Sequence, residues 1–212
     1  MARPIIIAHH LIWTVYGWWL PNDPRGSGSH EVAANILKSL GELHRGRKKI
    51  QSTSADIRAF YANAESLLKF PLLKFGSTEI AAIAQAFETT IKIYKYTCYG
   101  CAIMPDHVHI LIRKHKYLAE EMMGHFRNAG RAAVAGCGEW PSEHPVFGGG
   151  GWKVFLDNPE EVWRTIRYIE ENPGKSGLSG QQWRFVTAYN NWPLHEGHSE
   201  NSPYARRLRG RR

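Results

Sequence analysis

Residues 94–113 read YKYTCYGCAIMPDHVHILIR, two apolar runs separated by Pro105 and Asp106. Both runs are rich in β-branched and aromatic residues and the pair between them is turn-forming, so the stretch reads as two strands joined by a short turn. In the second run successive side chains point to opposite faces: His107, His109 and Leu111 share one, Val108, Ile110 and Ile112 the other. The aliphatic trio can bury against helices. Both imidazoles then meet outside that core, one strand repeat apart, where two neutral rings can ligate a single cation if neighbouring groups fix their tautomers.

Working outward, Ile80, Ile83, Ala84, Phe87 and Ile91 recur at helical spacing upstream of the hairpin, with Ser77 or Thr78 as the cap. Downstream, residues 117–134 read as a helix with Glu120 and Glu121 early and Arg127 and Arg131 late, matching the helix dipole. Residues 148–151 are four glycines, a hinge, and residues 152–156 (WKVFL) a short strand. At the start of the chain, residues 5–19 (IIIAHHLIWTVYGWW) read as a long strand that stops at the Pro21 to Gly28 turn cluster. The order strand, helix, strand, strand, helix, strand gives an α+β fold, a ferredoxin-like antiparallel sheet with helices packed on one face. One domain is expected over residues 1–198, with a helical insertion at about 29–75 and a basic tail at 199–212 carrying Arg206, Arg207, Arg209, Arg211 and Arg212.

Lys and Arg number 27 against 19 Asp and Glu, a net charge of +8, which suits a polyanionic partner, nucleic acid first. Three cysteines and no signal-peptide pattern point to the cytoplasm rather than to a secreted disulfide framework. The longest apolar run is too short and too interrupted for a bilayer span, so no membrane is expected.

The last helix begins at Asn158-Pro159-Glu160-Glu161, with Asn as cap and Pro at the first helical position. Val162, Ile166 and Ile169 form its apolar stripe. Tyr168 and Asn172, four apart, face the same way at the side of that stripe, and Pro173 is expected to end the helix near them.

Residues 104–111 (MPDHVHIL) together with residues 167–178 (RYIEENPGKSGL) resemble the single-tyrosine HUH transposases, most of all the REP-associated tyrosine transposases. The strand HLIWT at 10–14 and the loop LPNDPRG at 20–26 share the likeness; residues 29–75 do not. Gly174 and Glu170 depart from it, standing where a small aliphatic and an aromatic or histidine are usual. The resemblance implies that His107 and His109 bind a divalent ion, Mg2+ or Mn2+, that Asn172 completes the metal site, and that Tyr168 is the nucleophile. It implies a metal-dependent endonuclease and strand-transferase acting on single-stranded, hairpin or palindromic DNA through a 5′-phosphotyrosine, as a monomer or homodimer. Such chemistry needs this set: the ion offsets the phosphate's charge, and a phenol of ordinary pKa near 10 needs help losing its proton. Arg25, Arg164 and Arg167 are then the expected phosphate contacts, and Trp18 and Trp19, beside the loop, the expected base-stacking residues.

Two rival readings stand beside this one. Cys98 and Cys101 with the downstream histidines could form a structural zinc site, although residues three apart on a strand face oppositely. A non-catalytic nucleic-acid binder on the same fold would use the arginines and tryptophans but has no need of Tyr168 with Asn172 one turn away.

Overall fold

The computed structural model describes residues 5–27, 35–46, 48–138, 140, 141, 143–193 and 206. Of the basic tail only Arg206 falls within them; the rest of that expectation lies outside the described residues.

The hairpin supplies one edge strand and one central strand of the sheet. β1 (Ala8–Thr14), β2 (Cys98–Ile103), β3 (His107–Arg113) and β4 (Trp152–Leu156) form one antiparallel sheet in the order β2-β3-β1-β4. This is the ferredoxin-like α+β order expected from the element pattern. Its alternation makes two faces. Leu11, Trp13, Val108, Ile110 and Ile112 pack on one side under α2 (Ser77–Tyr94) and α3 (Ala119–Gly136), through Ile83, Phe87, Ile91, Met122 and Phe126. Each such large apolar side chain contributes about 1.5–3 kcal/mol when fully buried. The other face carries Ala8, Ala102, Leu111 and Leu156, covered by Val162, Ile166 and Ile169 of α4 (Pro159–Lys175). A reading with helices on one face therefore describes α2 and α3 only; α4 lies across the opposite side and walls the histidine face.

Boundaries moved where tertiary pairing outweighed local propensity. The first strand ends at Thr14, opposite His107, because β3 offers no partner beyond it. Val15 and Tyr16 pair with residues 146 and 147 instead, and the chain then turns away, with Gly17 and Trp19 in left-handed conformations. The cap of α2 is Gly76, whose N–H is taken by the Glu79 carboxylate at 2.8 Å, rather than Ser77 or Thr78. In α4 the Asn158 side chain accepts from the Glu161 N–H at 2.9 Å, but the helix runs through Pro173 to Lys175. Past the proline the last turn closes with three-residue bonds, from Ser176 N–H to Pro173 and Gly177 N–H to Gly174. A bulge between Cys98 and Gly100 brings Cys98 and Cys101 to the same face, against the strand-parity expectation. Both thiols are buried among apolar side chains, and burial pushes Cys98 up to about 12, so neither is disposed to be a thiolate ligand.

Residues 29–75 contribute a 3-10 helix (Asn35–Leu40) and α1 (Ser54–Glu65), capped reciprocally by Thr53 and Asp56. They pack on the loop after β1 through Leu20, Leu37 and Ala64. At their junction Asp23 is wholly buried. Its carboxylate accepts from Arg25 Nε at 2.9 Å and Nη2 at 2.8 Å, and from the Tyr61 hydroxyl. Gly26, with φ of 94°, closes this loop where any Cβ would strike the Gly46 carbonyl. Asp23→Ala would leave a largely desolvated guanidinium and a buried phenol without their acceptor. A loss of about 3 to 5 kcal/mol is expected, read by urea unfolding, and a loss below about 1 kcal/mol would show that the pair is not structural.

Candidate active site

The register of β1 on β3 sets Thr14 opposite His107, Ile12 opposite His109 and His10 opposite Leu111. His10, His107 and His109 therefore share the α4 face. His10 Nε2 lies 2.9 Å from His109 Nδ1 in a buried hydrogen bond, the two rings stacked at 5.1 Å. His107 and His109 stand nearly perpendicular, 4.8 Å between centroids. From α4, the Tyr168 ring sits edge-on to His109 at 5.4 Å and to His10 at 6.3 Å. Strand parity brings the histidines together; the position of Tyr168 just outside the Val162, Ile166, Ile169 stripe brings the phenol to them while leaving its ring 45% exposed. The exposure matters, because a reacting tyrosine has to reach something outside the protein.

Burial dominates the electrostatics. It lowers His10 to about 4 and His109 well below its ordinary value, the latter helped by the neighbouring His107 and His10, so both rings are neutral near pH 7. Neutral rings can donate a lone pair. Each ligating imidazole uses one nitrogen and fixes its tautomer by donating through the other. His107 donates from Nδ1 to the Asp106 carboxylate at 2.6 Å. Burial works to raise the Asp106 carboxyl, but the His107 hydrogen bond and the charges of His107 and Arg25 outweigh it and hold it below the ordinary range. In the tautomer suited to ligation, His109 donates from Nδ1 to His10 Nε2. The Nε2 atoms of His107 and His109 carry no hydrogen bond among the described residues. Asn172, one turn beyond Tyr168, is buried with its Nδ2 unpartnered. Two uncommitted imidazole nitrogens fit a divalent ion with open positions for water or phosphate oxygens; Asn172 can join them only through its carbonyl oxygen Oδ1, since the unpartnered Nδ2 is an N–H donor. No group of three or more His, Cys, Asp or Glu side chains suited to a metal occurs among the described residues, so any such site relies on the amide.

The expected DNA contacts are arranged differently from one another. Arg164 and Arg167 are exposed on α4, Arg164 3.5 Å from Glu161. Arg25 is engaged inside the protein: beyond its bonds to Asp23 it donates to the Tyr61 hydroxyl at 3.0 Å and stacks 3.7 Å over the Trp19 ring. Trp18 is packed on Tyr61 at 4.6 Å, its indole N–H given to the Leu73 carbonyl. Trp19 stands edge-on to His107 at 6.2 Å, so the Trp19–Arg25 stack forms one wall beside the histidines. Lys175 Nζ lies 5.2 Å from the centre of the Tyr168 ring.

Sequence reasoning gave no role to His10, Asp106 or Tyr61. Asp106 directly precedes His107 and was legible only as a turn residue. The parity of His10 with Ile12 is visible in the sequence, but the register that delivers it to His109 is not.

No helix among the described residues is long and apolar enough to cross a membrane. No family model matches the sequence, and no curated protein does. Among solved structures, the chain is similar to a REP-associated tyrosine transposase bound to a REP hairpin, at 9% identity over 84% of this chain and 74% of that one, with a TM-score of 0.45. It is also similar to a protein described as a transposase from Deinococcus radiodurans R1, at 11% identity over 81% of this chain and 94% of that one, with a TM-score of 0.34. Both likenesses are faint, and what the chain does chemically has to be argued from the side chains of the site.

Proposed function

We propose that this chain is a transposase-type DNA-nicking and strand-transfer enzyme that uses Tyr168 as nucleophile and a divalent ion, Mg2+ or Mn2+, held by His107, His109 and Asn172. The observation that carries this reading is the exposed Tyr168 ring set edge-on to His109, in a site where the Nε2 atoms of His107 and His109 have no hydrogen bond among the described residues. A structural metal site has no use for a half-exposed phenol, and a binding surface has no use for two tautomer-fixed histidines. When bound, the ion offsets the charge of the non-bridging phosphate oxygens and makes phosphorus accessible to an oxygen nucleophile.

The residues divide the remaining work. Asp106 and His10 orient His107 and His109 and keep a lone pair on each Nε2. Tyr168 Oη attacks phosphorus; the P–O3′ bond breaks, the phenolic proton is lost, and the departing 3′ oxygen takes up a proton. The products are a 5′-phosphotyrosine and a free 3′-hydroxyl. Lys175, ion-paired with Glu171 at 2.9 Å, also stands 5.2 Å from the centre of the Tyr168 ring and adds a cation to that edge of the site. The covalent bond conserves the phosphodiester's energy for rejoining, which separates strand transfer from hydrolysis. Single-stranded, hairpin or palindromic DNA is the proposed substrate, in which an unpaired loop or flank offers the strand to be cut.

The test is a trapping experiment. Purified protein is incubated with Mg2+ or Mn2+ and hairpins taken from palindromic repeats flanking its own gene, labelled on the 3′ side of each candidate nick. Label that stays with denatured protein, only with metal present, is the expected result. Tight hairpin binding with no adduct in either metal would overturn the enzyme reading in favour of the non-catalytic binder.

A further inference from the structure

Away from the histidine site, on the α3 side of the sheet, a groove of about 370 Å³ opens between α3, the glycine loop at 148–151 and β4. Arg127, Arg131 and Lys153 line it, with Asn128 beside them and Glu120 as the one carboxylate, 2.6 Å from Lys153. Among the described residues no carboxylate pairs with Arg127 or Arg131. Arg127 uses Nη1 and Nη2 to hold the Gly150 and Gly148 carbonyls, which fixes the rim of the groove. Arg131 has only a 3.3 Å contact with Asn128. Two guanidiniums set beside each other with a lysine, facing an open groove, make a site for an anion.

A second observation points the same way. Three glycines line the groove: Gly124, Gly150 and Gly151. Gly151 has a packing reason, since a Cβ there would strike Met123 Sδ at 2.7 Å and the Ile12 carbonyl at 2.9 Å. Gly124 has none. It stands inside α3, where glycine is unfavourable relative to alanine, and an added Cβ would meet nothing within 4 Å. The fold does not require its smallness, whereas a sugar-phosphate backbone lying on the helix would.

The groove is also placed to receive a strand from the site. The Gly148 N–H donates to the Thr14 carbonyl, and Gly151 abuts the Ile12 carbonyl. Thr14 and Ile12 are the β1 partners of His107 and His109. The glycine loop is thus the next segment across β1 from β3, about 10 Å from its backbone at ordinary strand spacing, and because the groove opens on the face opposite the imidazoles a strand would reach it around the β4 edge. We propose that this groove binds the phosphodiester backbone of a single DNA strand, holding nucleotides that flank the phosphate acted on at Tyr168. The link to Tyr168 rests on the function proposed above; the groove's affinity for a strand does not.

The test uses the full chain and a fluorescein-labelled 12-mer of thymidine, read by anisotropy across a salt series, with no cleavage required. Arg131→Gln/Lys153→Gln is expected to weaken binding and to reduce the salt slope by about 0.7 for each phosphate contact removed. Gly124→Gln adds a good helix former and fills the groove floor. It should therefore raise or preserve the melting temperature while lowering affinity several-fold, a pairing of signs that loss of fold cannot produce. Wild-type affinity and slope in both variants would overturn the groove. Wild-type protein is run in parallel in the hairpin trapping assay. An adduct there together with unaffected groove variants refutes the groove alone, and the converse refutes the nucleophile reading alone.

Discussion

Tyr168→Phe is expected to abolish both strand cleavage and the covalent protein–DNA adduct while leaving the fold and DNA affinity as they are. The substitution removes one oxygen. The ring it leaves behind still packs edge-on against His109 and His10, and it lies outside the buried stripe of α4, so the change in stability should stay within about 0.5 kcal/mol. The rate of nicking should fall on the order of 10⁴- to 10⁶-fold, the scale of removing the nucleophile from a covalent mechanism. Other tyrosines are poor substitutes. Tyr189 is buried with its hydroxyl given to the Trp192 carbonyl at 2.6 Å. Tyr99 is buried against Tyr189, and Tyr96 is buried on the α2 and α3 side of the sheet, its hydroxyl 2.7 Å from His125 Nδ1. Tyr94 is stacked on His125 at 3.8 Å on that same side. Mass spectrometry of the wild-type adduct should place the phosphate on Tyr168. An adduct that persists in Tyr168→Phe would refute this nucleophile while leaving the enzyme class standing.

How far the sequence led can be argued from single residues. Alternation in residues 107–113 sorted histidines from aliphatics correctly, because the side-chain period of a strand is fixed by geometry whatever its partners are. The side-by-side placement of Tyr168 and Asn172 followed in the same way from the helical step, and the Asn158 cap from local hydrogen bonding. Features created by distant pairing were not legible. Residues 15–19 have strand propensity yet form a loop, since β3 begins opposite Thr14 and offers them no ladder. The one-face expectation for the helices failed for α4 because the histidine face also carries Ala102 and Leu111, which need cover. Arg25 reads as a free loop cation until Tyr61, from a segment outside the family resemblance, arrives to complete its cage with Asp23. That segment thereby gains a role, since the cage holds the Trp19–Arg25 stack beside His107.

The metal pair gives the second large effect, and the two ligands differ in how deeply they are buried. His107 keeps 13% of its side chain exposed, whereas His109 is 4% exposed and hydrogen-bonded to His10. His107→Ala should therefore be the cleaner variant. It leaves Asp106 close to Arg25's charge and solvent, so the fold should hold, while Mn2+ affinity falls by more than about 100-fold and metal-dependent nicking is lost. His109→Ala should lose nicking equally but also cost about 1–3 kcal/mol, because the buried His10 Nε2 is left without its partner. Asn172→Ala should weaken Mn2+ binding less, about 10-fold, an amide being a poorer donor than an imidazole. Calorimetric titration of Mn2+ into each variant separates these effects from urea stability, since a purely structural role for the histidines would move stability without altering ion affinity in the folded protein. If the His107→Ala/His109→Ala double variant nicks hairpins undiminished in the presence of a chelator, the two imidazoles have no part in the chemistry.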